Sequence, residues 1–524
     1  MKKQTSVHAL ITALALFNLA TFARAATATP VTGATPVLPA TTPAATVSTP
    51  VSSRAPLKMT GEVTGKIDRR FFGANFLYWI ENKTELADGK IEALMKNLPV
   101  TILRYPGGTV ADNFHWKTTT LDNPNRFPYE TRAEVANRST FDDFMAVCAR
   151  IGAEPMVVVN TESWFLHNDI EGGAKEAADW VRYCKAKNYK VKYWEIGNET
   201  YWIAIMTSRE YGALVKRYAQ AMRAVDPTII ISAVGHWDKD HVGVKERFPR
   251  DQWEAVRQRT LSIDNKKNDE ALKKYVHDNQ VKNNPNASEK DKWWNNVLAE
   301  CGQDIDMMSV HCYYQLYNVG QLDTKIAELR KYAKAKTGRD YLVCVSEYNY
   351  YVEKSGVNET GGWGLAEGVC RMLNAGVELG TFWPMRYGGK ERAMITRDKS
   401  NTPRYPYQML KLFSDNFSGG DVIKCASAPA SGLFLFAAKS PGQITLVVVA
   451  HGNDKKNATE GDYEIAFDAD AAKGKVTSVS SFATDAKATL RQTTPAYTLK
   501  KNGMSLRIVP GTFTMITIKR QPAP

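Results

Sequence analysis

The sequence predicts an α/β protein, a (β/α)8 barrel of the TIM type followed by an antiparallel β-sandwich. Three observations predict it. Eight short apolar runs alternate with amphipathic helical stretches from Phe71 onward, the runs are almost continuously hydrophobic, and the period changes to two beyond about residue 413. Runs such as Met156-Val157-Val158-Val159 suit parallel strands covered on both faces, and eight such units with right-handed crossovers close into a barrel. No glycine-rich phosphate fingerprint follows the first run, which ranks a doubly wound open sheet second.

Taken in order, residues 1–25 combine Lys2 and Lys3, an apolar stretch over 9–20 and the small-x-small end Ala23-Arg24-Ala25. That is the pattern of a signal peptide and predicts a secreted or periplasmic protein. The stretch is too short to span a bilayer stably, and no later run is long and apolar enough, so no membrane span is expected. Residues 26–54 are almost wholly Ala, Thr, Pro, Val and Ser, the composition of a linker. The barrel is assigned to 55–412, with a lone strand over 59–67 that is free to pair elsewhere. Its strands are expected at 71–76, 100–104, 155–160, 191–196, 228–234, 307–311, 341–346 and 380–385, with helices at 141–151, 174–187, 208–225, 326–336 and 365–374 among the connections. A charged insertion over 237–304 is expected above the barrel mouth. In the sandwich, 413–524, half-buried strands alternate over 433–437, 444–449, 463–467 and 476–482, and Asn502-Gly503 marks a hairpin between 497–500 and 504–509.

Composition excludes several classes. The 524 residues are 44% hydrophobic and 23% charged, as in an ordinary globular protein. The net charge of +13 is spread along the chain without a basic stripe, so nucleic acid is not an expected partner. The 7 cysteines are scattered and odd in number, which predicts buried thiols rather than a disulfide framework. No Cys/His cluster has zinc spacing, and neither a metal nor a cofactor is expected. Nothing in the sequence fixes an oligomeric state.

Barrel sites lie at the C-terminal ends of strands. Those ends carry Asn75, Arg104, Asn160, Asn198 with Glu199, His311, Glu347, and Trp383 with Arg386. Glu199 ends the fourth strand and Glu347 the seventh, so their side chains can meet across the mouth. Two facing carboxylates suit glycoside hydrolysis, one protonating the leaving group and the other attacking; at roughly 5 Å apart they retain configuration. Arg104, reaching Glu347, is expected to hold it ionised.

Four segments give this pattern a resemblance. Leu103-Arg104-Tyr105-Pro106-Gly107-Gly108 with His115-Trp116, Trp194 to Glu199, Ser309 to Tyr314, and Ser346-Glu347-Tyr348-Asn349 resemble motifs of a clan A retaining glycoside hydrolase, most similar to the family 51 α-L-arabinofuranosidases. Thr402-Pro403-Arg404-Tyr405 before the last helix is also similar, and the resemblance covers roughly residues 58–524. It implies Glu199 as acid/base, Glu347 as nucleophile and Asn198 as a contact to the sugar hydroxyl beside the anomeric carbon. His311 and Tyr313 would orient the nucleophile and Arg104 pair with it. The implied partner is a polysaccharide or oligosaccharide. Trp383 and Trp79 are aromatic groups suited either to a sugar face or to core packing. Where the family carries a substrate glutamate after strand one, this chain has Asn75 followed by Phe76-Leu77-Tyr78-Trp79. Arg386, Lys390 and Arg392 follow Trp383 closely and suit a carboxylated or sulfated sugar, so a clan A enzyme acting on an anionic glycan is a second expectation. A noncatalytic glycan-binding protein on the same fold is a third.

Overall fold

Eight parallel strands close into a barrel in the order β7-β8-β1-β2-β3-β4-β5-β6. They are β1 (Gly73–Asn75), β2 (Ile102–Tyr105), β3 (Glu154–Val159), β4 (Tyr193–Ile196), β5 (Ile230–His236), β6 (Met307–Tyr314), β7 (Leu342–Tyr350) and β8 (Leu379–Phe382). This computed structural model describes residues 57–122, 136–202, 205–248, 252–263, 266–279, 288–314, 316–350, 361–387, 393–427, 432–452 and 458–520. The expected signal peptide and linker lie outside the described residues, as do Lys390 and Arg392. No helix among the described residues is long and apolar enough to cross a membrane.

Side chains alternate across each strand, so the barrel interior reads as layers. Its floor is apolar, with Ile102, Met156, Tyr193, Met307, Cys344 and Leu379 packed together. Two residues further along five of these six strands come Arg104, Glu195, Ser309, Ser346 and Thr381, all fully buried, while the sixth carries Val158. The apolar floor therefore gives way within one layer to a polar one. The outward residues, such as Trp194 and Ile196, pack on the ring helices in the main core.

The helix starts follow from local chemistry. Phe141–Ile151 and Ser208–Arg223 each open on a capping box, Thr140 with Asp143 and Thr207 with Glu210, satisfying orphan backbone N–H groups. The insertion after β5 is shorter than expected. Its helices Trp253–Leu261 and Lys266–Asn279 gather around Val244, Phe248, Val256, Ile263 and Leu272, a small core that also packs on Trp202. Trp293–Cys301, assigned to the insertion from sequence, is instead the fifth ring helix. Its Trp293 and Trp294 indoles donate to the Val234 and His236 carbonyls at 2.9 and 2.7 Å, anchoring it to β5.

The last ring helix, Tyr405–Phe417, extends past the expected domain boundary at 412. Beyond it lie β9 (Asp421–Ala426), β10 (Leu433–Ser440), β11 (Gln443–Ala450), β12 (Gly461–Ala466), β13 (Lys475–Thr484), β14 (Leu490–Thr493), β15 (Tyr497–Lys500), β16 (Gly503–Ile508) and β17 (Thr512–Lys519). With the early strand Leu57–Lys66 they form one sheet, ordered β14-β13-β17-β11-β10-β9-(Leu57–Lys66)-β12-β16-β15. Val479 near one end and Leu506 near the other share one core with Leu435, Leu446 and Ile516, so the sheet is curled into two layers. The early strand, free by its sequence to pair outside the barrel, pairs antiparallel with β9 and parallel with β12.

Candidate active site

Arg104 organises the polar layer. It is fully buried on β2, and its five N–H donors make five hydrogen bonds to four acceptor oxygens. Nε and Nη2 donate to Oε1 of Glu195 at 3.1 and 2.6 Å. Nη1 donates to Asn75 Oδ1 at 2.8 Å and Glu347 Oε1 at 3.0 Å, and Nη2 also to Asn198 Oδ1 at 2.8 Å. Arg104 thus has no donor left for a ligand. Its donors are all taken by protein groups, Glu347 among them.

The two expected glutamates do converge. Oxygens of Glu199 and Glu347 and a ring nitrogen of His311 all lie within 4.8 Å of one another. His311 Nδ1 is 3.0 Å from Glu199 Oε1 and 3.6 Å from Glu347 Oε2. Tyr313 donates its hydroxyl proton to Glu347 Oε2 at 2.5 Å. A register shift between Val345 and Glu347, where β7 pairs with β6, bends the strand immediately before the carboxylate. Glu347 is almost fully buried, whereas the Glu199 side chain keeps 25% exposure and is open to a leaving group or water.

Burial pushes the Glu347 carboxyl above the usual glutamate range; His311, Arg104 and Tyr313 act against the rise and Glu199 adds to it. The expectation that Arg104 simply holds this group ionised is therefore corrected, because desolvation is the larger effect. Burial works to lower His311, but the Glu347 and Glu199 carboxylates outweigh it and leave the imidazole above its ordinary value. Glu199, His311 and Glu347 could in principle surround a metal ion. However, both Glu347 oxygens already have donors in Arg104 and Tyr313, so the set fits proton transfer better than metal ligation.

Other expected residues divide. Asn198 turns its amide oxygen to Arg104, which can only donate, and among the described residues its NH2 has no hydrogen-bond partner. Trp383 is half-buried, and its ring tip and Glu347 Oε1 each lie 3.1 Å from where a Cβ on Gly108 would stand. The ring therefore flanks Glu347. Trp79 is buried against Gly107 and belongs to the core. Asn75, expected to bind substrate, donates its amide to the carbonyls of Ser346, Thr381 and Phe382 and accepts from Arg104. It ties β1 to β7 and β8. Asn160 lines a space with Phe114, Trp116, Glu176 and Trp180, and its amide oxygen accepts from Ser163 at 2.8 Å. Arg386 is fully buried, and its Nη2 pairs with Glu85 at 2.6 Å.

Sequence reasoning missed Glu195 and Asp112. Glu195 was legible, because two residues beyond inward-facing Tyr193 it must also face inward. Asp112 Oδ1 accepts from the Asn198 backbone at 3.0 Å and Thr161 at 2.7 Å, fixing the turn that carries Glu199. Gly197 in that turn has φ +74°, and a Cβ there would stand 2.7 Å from Thr161 Oγ1 and 3.0 Å from Asp112 Oδ1. No larger residue fits.

Burial pushes the Asp112 carboxyl up to about 7 from 3.8. The folded protein therefore keeps this proton when the unfolded chain has lost it. The stability it contributes is complete below about pH 4 and is lost as pH rises toward 7, at about 1.4 kcal/mol per pH unit. Asp112→Asn keeps the acceptor and removes the titration. Urea unfolding at pH 5 and pH 8 should show wild type losing more stability across that interval than the variant, by about 2–3 kcal/mol. Equal losses would refute the assignment.

Comparison with known proteins follows the same lines. Residues 94–282 match the family described as the α-L-arabinofuranosidase 1 domain, a span that holds Arg104, Asn198 and Glu199. The chain resembles the clan A glycoside hydrolases, and in particular those of family 51. Among curated relatives, it is 29% identical over 218 residues to an intracellular exo-α-(1→5)-L-arabinofuranosidase of Acetivibrio thermocellus, covering 36% of this chain and 42% of that one. The chain thus spans less than half the length of the curated relatives it matches. Among solved structures, the arabinose complex of an α-L-arabinofuranosidase from Thermotoga maritima shares 18% identity at a TM-score of 0.61, covering 88% of this chain and 99% of that one. A bifunctional glucanase-xylanase from a metagenome library shares 14% at 0.58, covering 89% and 99%. At these identities the structures establish the arabinofuranosidase-like fold, a barrel followed by a β-sandwich.

Proposed function

We propose that this chain is an exported retaining glycoside hydrolase that releases arabinofuranosyl-type sugars from polysaccharide by double displacement. The observation that carries it is the approach of Glu199 and Glu347 to within 4.8 Å from opposite sides of the barrel mouth, a spacing that suits retention. In the first step a Glu347 oxygen bonds to the anomeric carbon as the glycosidic bond breaks, and Glu199 gives its proton to the departing oxygen. In the second, Glu199 takes a proton from water, the water oxygen bonds to the anomeric carbon, and the ester to Glu347 breaks. Arg104 and Tyr313 hold the nucleophile in line through both steps, and the Asn198 amide is a donor available to a neighbouring hydroxyl.

The arabinofuranosyl specificity is supported by the matched family and by the names of the relatives. Action on an anionic glycan has less support, because Arg386 is engaged by Glu85. Export rests on residues 1–25, and the mature chain recovered outside the cytoplasm should begin near residue 26.

The test is sugar release by the purified protein from a neutral set (arabinan, arabinoxylan, xylan) and an anionic set (uronate-bearing, sulfated), with Glu347→Ala as blank. Arabinose released from the neutral set, with retained configuration by NMR, is the expected result. Release from the anionic set alone would overturn the specificity, and inverted product would overturn the mechanism. Silence on both sets, with glycan binding intact, would return the chain to the noncatalytic class.

A further inference from the structure

We propose that Glu195 is a positioning residue that divides the charge of Arg104 with Glu347 and so keeps the nucleophile basic. The inference rests on the reading of Glu347 as the nucleophile. Its basis is the count of contacts at one guanidinium. Of five donated bonds, two go to a single oxygen of Glu195 and one to Glu347. One Glu195 oxygen therefore holds the Nε/Nη2 edge of Arg104 and orients the plane in which Nη1 meets Glu347. Both carboxylates are essentially excluded from water, where a counter-charge acts strongly.

A nucleophilic carboxylate faces opposing demands. An arginine beside it orients it and favours the ionised form, yet a whole positive charge at 3.0 Å withdraws the basicity that attack on carbon requires. A second carboxylate on the far side of the same guanidinium reconciles them, keeping the geometry while dividing the charge. Among the described residues, the other groups facing Glu347 are Glu199, His311, Tyr313 and Tyr201. Those facing Glu195, besides Arg104, are Asp112, Cys344 and Tyr211. Asp112, pushed to about 7 by burial, holds its proton across the acid range and does not compete for Arg104 there.

Two conservative variants separate charge from shape. Glu195→Gln keeps the length and the acceptor oxygen but removes the charge; Glu195→Asp keeps the charge and shortens the reach. If Glu195 divides the charge, the acidic limb of the kcat/KM profile moves down by about one pH unit in Glu195→Gln and stays near wild type in Glu195→Asp. In the Gln variant kcat falls while KM holds. If Glu195 only fills space, the order reverses, with Gln neutral and Asp damaging. A second readout needs no turnover: carboxyl 13C NMR titration of glutamate-labelled protein, with the Glu347 signal assigned by its loss in Glu347→Gln. There too the Glu347 midpoint should fall in Glu195→Gln and hold in Glu195→Asp. A wild type inert on every aryl glycoside would refute the functional reading and leave the titration to judge Glu195. An unmoved or raised midpoint in Glu195→Gln overturns the proposal, and if that variant does not fold, a shifted midpoint in Glu195→Asp does so.

Discussion

Glu347→Ala should lower kcat/KM on an activated aryl arabinofuranoside by about 10⁴-fold or more. The loss is large because the variant lacks the atom that bonds to the anomeric carbon, and no neighbour can replace it. Tyr313 and His311 hold no carboxylate, and Glu195 lies one layer below the mouth behind Arg104. The fold should survive. Glu347 lies within β7 beside the partly exposed Glu199, so truncation leaves the strand pairing in place, and Arg104 keeps Glu195 as its counter-ion. Stopped assays beside circular dichroism check both halves. A variant that retains near-normal turnover sinks the double displacement. Azide supplies the complementary control on Glu199→Ala: small and nucleophilic without a general base, it should restore turnover of substrates with good leaving groups by attacking the glycosyl-enzyme.

What was legible in the sequence, and what was not, follows from how local each signal is. Glu199 and Glu347 each terminate an apolar run, and an apolar run that ends on a carboxylate points to a strand end at the barrel mouth. The sequence shows that Asn75 and Arg386 also end strands, but not what their hydrogen bonds meet. Asn75 is taken up by carbonyls of β7 and β8, and Arg386 by Glu85, 301 residues away. The same remoteness hid the hub at Arg104, whose partners come from three other strands or their ends. In the sheet, Leu433, Leu435 and Ala437 face one core and Phe434, Phe436 and Ala438 the other. That is why β10 reads as continuous rather than alternating. The hairpin signal was right in kind but shifted: Lys500 pairs with Gly503, so Lys501 and Asn502 form the turn. Gly503 is required because a Cβ there would stand 2.2 Å from the Ile465 carbonyl oxygen.

Arg104→Met should cost about 3–5 kcal/mol of folding stability, since it strands two buried carboxylates that had shared one cation. Five bonds are lost together, and Asn75 and Asn198 lose their acceptor contacts as well. A buried carboxylate without its cation takes up a proton instead of staying charged. The folded variant therefore binds more protons than wild type near neutrality, and its deficit should grow as pH rises from 5 to 8. Urea midpoints at the two pH values measure this, and equal midpoints for wild type and variant at pH 8 would remove Arg104 from the centre of the layer. Adding Glu195→Leu to Arg104→Met replaces one charged pair with apolar groups of similar volume, so most of the lost stability should return. Activity should not, because Glu347 would still lack the donor that holds it in line. A double variant that folds like wild type but stays inert would show that the buried charges serve the reaction rather than the fold.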